Sequence, residues 1–470
     1  MTAPIDDPSP GGTIALPSAA KAPTSPNGDA RFVSGSLLRH ILVMTGAGAI
    51  GLIAIFIGDF ANILFLSWLA DQEIVAAVGY ASSILFFTTS IGIGLSIAAT
   101  SVVSPAIGAG DMRRARRLAG SALVLTAAVS LGLTLLVWLS ISPLLSVLGA
   151  AERTHALAAG YLQILVPFLP PLAVAMTATA LLRSIGDARR AMNVTLVGAI
   201  TNVALDPILI FALALGIDGA AIASAIARLA MLAYGLWAVI GIHDMTDRPT
   251  VADTIADAPA LAGVAVPAVL TNIATPVANA YVTAAMAAHG DAAVAAWAVI
   301  GRITPVAFGA IYALSGAIGP IVGQNFGARD TSRMQRTFTL ALLVNAAFTL
   351  AAWIVMASAA EPLVALFRAK GEAAELIRLF CQVLAPLFGF LGALFVANAV
   401  FNTLGHARLA TLLNWGRATI GTIPFVLLGS HFAGASGVLV GNMFGAIPFG
   451  LLAIVIGSRL IAQIGRDFEA

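Results

Sequence analysis

Two carboxylates interrupt otherwise apolar sequence: Asp59 in IAIFIGDFANILFLSWLA and Asp206 in TNVALDPILIFALAL. An ionised side chain at mid-bilayer costs at least ~2.5–3.5 kcal/mol on insertion scales, so such a residue points to function. Asn62 follows Asp59 by three residues and shares its helical face. Asn202 precedes Asp206 by four, which lets its amide hydrogen-bond the carboxyl group. Pro207 removes a backbone hydrogen bond and frees the carbonyl of Val203. A carboxyl, an amide and a bare carbonyl on a kinked helix suit a proton or a Na⁺ ion. The plainer alternative is an acid satisfied by backbone and water, which only keeps helices in register.

The elements that hold these groups follow from composition. Of 470 residues, 59% are hydrophobic and 10% charged, with mean hydropathy +0.97. A soluble protein needs about 25% charged residues to coat its surface. The chain is therefore expected to be an all-α polytopic membrane protein. Apolar stretches predict twelve spans, near 38–69, 74–106, 119–148, 157–182, 191–214, 219–242, 260–288, 293–324, 337–360, 374–403, 410–430 and 435–460. Each is long enough to cross about 30 Å of hydrocarbon. Both lysines, Lys21 and Lys370, follow alanine, which excludes a Gly-Lys-Ser/Thr phosphate loop. The lone Cys381 excludes an internal disulfide and a multi-cysteine metal site. The six histidines fall in connections or at span ends, against a histidine relay or an intramembrane metal. Gly46 to Gly51 matches GxGxxG but lies inside a span, where helix packing explains it. No enzyme activity and no cofactor are expected.

Arginines set the orientation. Arg113, Arg114, Arg116 and Arg117 lie between spans 2 and 3, and Arg183, Arg189 and Arg190 at the 4–5 connection. Arg329, Arg333 and Arg336 follow span 8, and Arg408 follows span 10. These loops, and both termini, are expected to be cytoplasmic. An internal repeat runs at a single offset of 219 residues. It carries Gly108–Asp111 (GAGD) onto Gly327–Asp330 (GARD), Gly186 onto Gly405, Pro143 onto Pro362 and Pro167 onto Pro386. Six spans per repeat give both halves one orientation, as two six-helix bundles related by a pseudo-two-fold along the membrane normal. The expected organisation is a disordered cytoplasmic tail (1–36), a first lobe (37–242), a cytoplasmic linker (243–258), a second lobe (259–460) and a cytoplasmic C-terminus (461–470).

The offset places Ala278 and Phe425 where the first lobe has Asp59 and Asp206. Ion coupling is thus expected in the first lobe alone. Asn62, Asn279, Asn398 and Asn402 are candidates for a substrate cavity, with interhelical packing as the alternative. Arg228, Arg302 and Arg417 fall within spans, where snorkelling or interhelical pairing is the first reading. Pro167, Pro170 and Pro171 in span 4, and Pro267 and Pro276 in span 7, are candidate hinges.

Several segments resemble the MATE (multidrug and toxic compound extrusion) transporters of the MOP flippase superfamily. They are VAAVGYASSILFFTTSIGIGLSIAATSVVSPAIGAGDMRRARRLAG, LLRSIGDARRAMN, TNVALDPILIFALALGIDGAAIASAIARLA and VGQNFGARD. The resemblance spans residues 38–460. It implies two six-helix lobes arranged as a V, exporting cationic, amphipathic compounds in exchange for H⁺ or Na⁺. By motif it assigns ion coupling to Asp59, Asn202 and Asp206, with Ser224 where a Thr often stands. The NorM branch places acids in spans 7 and 10; their absence makes this chain look DinF-like. The expectation is a monomeric, drug-exporting antiporter of the bacterial inner membrane, with small organic cations and the bilayer as its partners. The alternative is a lipid-linked oligosaccharide flippase of the same superfamily, which would want a cleft lined by arginines.

Overall fold

The computed structural model describes residues 30–69 and 72–469. Residues 1–29 of the expected disordered tail lie outside the described residues. Ten described helices are long and apolar enough to cross a membrane. A bent pair, Asp291–Ala307 and Gly309–Gly327, meets at 49° and makes an eleventh. The final run, Ala407–Glu469, has 63 residues, enough for two crossings. Its backbone leaves helical geometry at Ala433 and Gly434, the latter at φ 59°. There the chain folds back, laying Gly421 against Gly445, Phe425 against Gly441 and Gly429 against Gly437. These pairs are symmetric about residue 433, the register of an antiparallel helical hairpin. The twelve spans of the sequence reading are thus present.

Spans 1 to 3 are Leu37–Ser67, Gln72–Gly108 and Met112–Leu139. Spans 4 to 6 are Glu152–Ser184, Ala188–Ala212 and Gly216–Ile242, and span 7 is Val251–Ala287. The bent pair is span 8, and spans 9 and 10 are Thr331–Ser358 and Glu372–Thr403. Residues 407–432 and 434–469 are spans 11 and 12. Exposed Leu131, Leu135 and Leu139 on span 3, with Leu343, Leu350 and Ile354 on span 9, form apolar belts suited to lipid.

The repeat motifs are turn chemistry. Asp111 and Asp330 each cap the following helix by accepting a hydrogen bond from the backbone N–H three residues on, at 2.9 and 2.8 Å. Just before them Gly110 and Arg329 take left-handed φ of 77° and 57°. Asp187 caps span 5 likewise and also accepts from Arg190 Nη1 at 2.6 Å and His243 Nε2 at 2.8 Å. Burial pushes its carboxyl up, but these bonds outweigh that and hold it below the usual range. Pro167 and Pro386 each sit in a 3₁₀ turn inside their spans.

Three boundaries differ from the sequence reading. Span 3 ends at Leu139, and a short helix, Ile141–Val147, follows it. Residues 251–258, read as linker, are the first turns of span 7, started by a Thr250–Asp253 capping box. Span 12 continues helical to Glu469 through the segment read as a C-terminal tail. Pro267 and Pro276 lie inside one continuous helix, and span 8 is interrupted at Phe308, three residues after Pro305. Neighbouring side chains and water re-satisfy freed carbonyls in a packed span, so proline alone does not dictate a break.

Each lobe lends the start of its first helix to the other. Leu37, Ile41 and Met44 of span 1 belong to the core formed by spans 8, 9, 10 and 12. Leu261, Val264 and Ala265 of span 7 belong to the core of spans 2 to 6. Arg117 and Ser121 of span 3 fix this crossing on buried Asp257, at 3.1 and 2.8 Å. The seam is tightest where span 2 crosses span 8. Gly108 abuts the Gln324 backbone and Gly327 abuts that of Pro105, a pair related by the 219-residue offset.

Residues 30–36, read as part of the tail, are ordered across this seam. Phe32 is 2% exposed. Its N–H donates to Gln324 Oε1 at 2.8 Å, and its carbonyl accepts from Arg333 Nη2 at 2.8 Å. Arg31 donates to the Gly186 carbonyl of the first lobe at 3.4 Å. A large buried aromatic truncated to alanine costs about 3–5 kcal/mol. Phe32→Ala is therefore expected to lower the thermal unfolding midpoint by several degrees; an unchanged midpoint would show that the segment contributes no packing.

Candidate functional site

Every interlobe contact named above lies in the halves of the spans next to the arginine-rich loops. Gly48 and Ile53 of span 1 meet Ala313 and Gly309 of span 8, while Gly94 of span 2 meets Val269 of span 7. Beyond these levels the outer half of span 8, Asp291–Ala307, packs against spans 7 and 10 of its own lobe, which leaves a cleft beside the facing span 1. Asp59 lies about three turns past Gly48 on the same face of span 1. It is exposed on the cleft side and makes no hydrogen bond or ion pair with any described residue.

Asp206 is fully buried in the first lobe. Asn62 Nδ2 donates to its Oδ2 at 3.0 Å. With the Asn202 amide turned to face the acid, its nitrogen donates to the same oxygen at 3.1 Å. The Asn202 oxygen then accepts from the Ser224 hydroxyl at 3.0 Å and the Ser224 N–H at 3.2 Å. Oδ1 of Asp206 is buried with no hydrogen-bond partner. An orphaned carboxylate oxygen in a dry interior is costly, since its desolvation is uncompensated. Protonation, or a small cation, would satisfy it.

Spans 1, 5 and 6 bring these groups together, so Asp206, Asn202 and Ser224 form one cluster. Asn62, expected to line the substrate cavity, joins them, and Asp59 stands one helical turn away on span 1. One further member, Tyr161, escaped the sequence reading, and Arg228, read as snorkelling or pairing between helices, joins it. The Tyr161 hydroxyl of span 4 lies within electrostatic reach of Arg228, Ser224, Asp206 and Asp59. Arg228 donates to the Leu165 carbonyl at 3.2 Å. Its i,i+4 spacing from Ser224 was the available signal; Tyr161 carried none. Neither acid is ion-paired with an arginine among the described residues.

The remaining candidates lie apart. Asn279 is exposed on span 7, its carbonyl accepting from Thr283 at 2.8 Å. Asn398 is buried and accepts from Asn414 Nδ2 at 3.0 Å. Asn402 is 4% exposed, with its Oδ1 unpartnered. Among the described residues no three His, Cys, Asp or Glu side chains converge on a shared metal position.

The comparisons agree with this architecture. The MatE family model matches residues 48–208 and again 267–428, two matches that begin 219 residues apart. A protein of Shewanella oneidensis named FAD transporter is 30% identical over 438 residues, covering 92% of this chain and 96% of the relative. The multidrug export protein MepA of Staphylococcus aureus is 23% identical over 433 residues, covering 89% of this chain and 94% of that protein. The crystal structure of the Vibrio cholerae MATE transporter VcmN in its bent form superposes with TM-score 0.85 at 28% identity, covering 91% and 98% of the two chains. An outward-facing MATE multidrug transporter shares the fold alone, with TM-score 0.87 at 21% identity over 94% and 99%. The chain belongs to the MATE family of multi-pass membrane transporters and is not an enzyme.

Proposed function

We propose that the protein is a secondary active antiporter that exports small amphipathic molecules, organic cations among them, in exchange for H⁺ or Na⁺. One observation carries this reading: Asp206, wholly buried in lipid-facing sequence, holds two amide donors on one oxygen and leaves the other without a partner. Such a site gains by taking up a proton or Na⁺ and loses by releasing it. An ion shifts the lobes only as far as it binds one arrangement more tightly than the other. With the arginine-rich loops in the cytoplasm, as the positive-inside rule favours, the cleft opens outward. An ion reaches Asp59 at the cleft wall first, then the Asp206, Asn202 and Ser224 cluster. The neutralised first lobe then repacks, and cargo and ion exchange on opposite sides. MepA's name as a multidrug exporter supports the cargo class. The two carboxylates favour ion exchange over the flippase reading. The protein is expected to act as a monomer in the bacterial inner membrane.

Proteoliposomes loaded with ethidium, given a pH gradient or a Na⁺ gradient separately, test the proposal. Efflux is expected to follow one gradient and to vanish when both acids are replaced by asparagine. Efflux indifferent to both gradients would overturn antiport.

A further inference from the structure

Residues 30–36 join span 1 through a left-handed turn at Gly35, φ 72°, and cross the seam on its arginine-loop side. Their attachments to the two lobes differ in kind. On the second lobe, the guanidinium of Arg333 in span 9 gathers three carbonyls of the segment. Nη2 donates to Phe32 at 2.8 Å and to Ser34 at 3.2 Å, and Nη1 donates to Gly35 at 3.3 Å. Asn325 Nδ2 donates to the same Phe32 carbonyl at 3.2 Å, and its Oδ1 accepts from Arg333 Nε at 3.0 Å.

The first lobe is held by a ring and two weaker ties. Phe32 belongs to the same buried cluster as Ala188, at the start of span 5. A Cβ on Gly186 would come within 3.2 Å of the Phe32 ring, so the absent side chain makes the seat. Gly186 also takes φ 82°, which glycine alone adopts freely. Arg31 adds its long bond to the Gly186 carbonyl. Gln324 links the two sides: Oε1 takes the Phe32 N–H, and Nε2 donates to the Ser184 carbonyl of span 4 at 2.7 Å.

Hydrogen bonds from a guanidinium are the stronger kind. When the lobes part on this side, the segment therefore stays with Arg333 and leaves Gly186, Ala188 and Ser184 behind. Contacts made in one arrangement only shift the balance by the free energy they supply there. The ring seat is such a contact.

We propose that residues 30–36 are a latch, hinged on Arg333 and clasped by Phe32 against Gly186 and Ala188, that holds the arginine-loop side closed. This rests on the alternation of lobes that the exporter reading requires. It adds that the chain's own N-terminal segment sets the balance, whatever the cargo or coupling ion.

Maleimide labelling of a buried cysteine tests the latch, because its rate follows the fraction of molecules open at that point. With Cys381 replaced by alanine, Ser184→Cys reads the seam, where Ser184 is fully buried. Val166→Cys, fully buried in a core of the first lobe away from the seam, reads general loosening. In the purified full chain in nanodiscs, Phe32→Ala is expected to speed labelling of Ser184→Cys about 5- to 100-fold and that of Val166→Cys less than about twofold. Arg333→Gln keeps the ring but cuts the hinge, and is expected to give the same selective rise; Phe32→Leu is expected to give a smaller one. Unchanged Ser184→Cys rates in both Phe32→Ala and Arg333→Gln, or an equal rise at the two cysteines, would overturn the latch. Labelling needs neither gradient nor cargo, so failure of antiport and failure of the latch are read separately.

Discussion

Asp206→Asn abolishes gradient-driven export and leaves a folded, membrane-inserted protein. The substitution keeps the shape and a hydrogen-bonding amide beside Asn62 and Asn202, but removes the group whose charge changes. Its effect on stability is expected to be small or favourable, since the carboxylate replaced is buried with one oxygen unpartnered. Transport is expected to fall to the leak of protein-free liposomes, with the thermal midpoint unchanged or raised. Asp59→Asn is expected to match it in transport, because Asp59 carries the charge at the cleft wall where an ion would first arrive. A variant of either kind that exports ethidium at the wild-type rate would remove the first lobe from the coupling scheme. The pairing of lost transport with retained stability is what separates an ion site from a packing role, which would lose both.

Gly327→Leu is expected to open the seam on the arginine-loop side. The Gly327 and Gly108 pairs bring the backbones of spans 2 and 8 into contact, with no room for a side chain between them. Overpacking such a contact costs about 1–3 kcal/mol, which moves a two-state equilibrium about 5- to 150-fold. Ser104 supplies the readout, since it is fully buried beneath the seam and bonds Ser184 at 3.3 Å. With Cys381 replaced by alanine, a Ser104→Cys protein is expected to resist a membrane-impermeant maleimide. Adding Gly327→Leu is expected to make it react from the arginine-loop side. Unchanged labelling would mean that the crossing is not the closed gate of this conformation. The leucine is expected to act on one state rather than on the whole fold, because away from the seam each lobe also has a core of its own.

Much of the site was legible because its signals are local. Asn202 and Asp206 sit four apart on one helix, and that spacing alone places amide beside acid. The 219-residue offset was readable because capping aspartates and left-handed turn positions need particular residue types, as at Asp111 and Asp330. Asn62 was read as cavity lining because its partner, Asp206, is 144 residues away. Tyr161 was missed for the same reason, since nothing near it in sequence distinguishes it from any buried aromatic.

Hydropathy, helical periodicity and turn chemistry act over a few residues, so the chain alone determined a twelve-span, twofold-repeated membrane protein with acids in its first half. Which lobe receives the start of spans 1 and 7, and which way Asp59 faces, depend on packing between distant segments. Those outcomes belong to the tertiary structure, because shape complementarity across a seam leaves no periodic trace in the residues on either side of it.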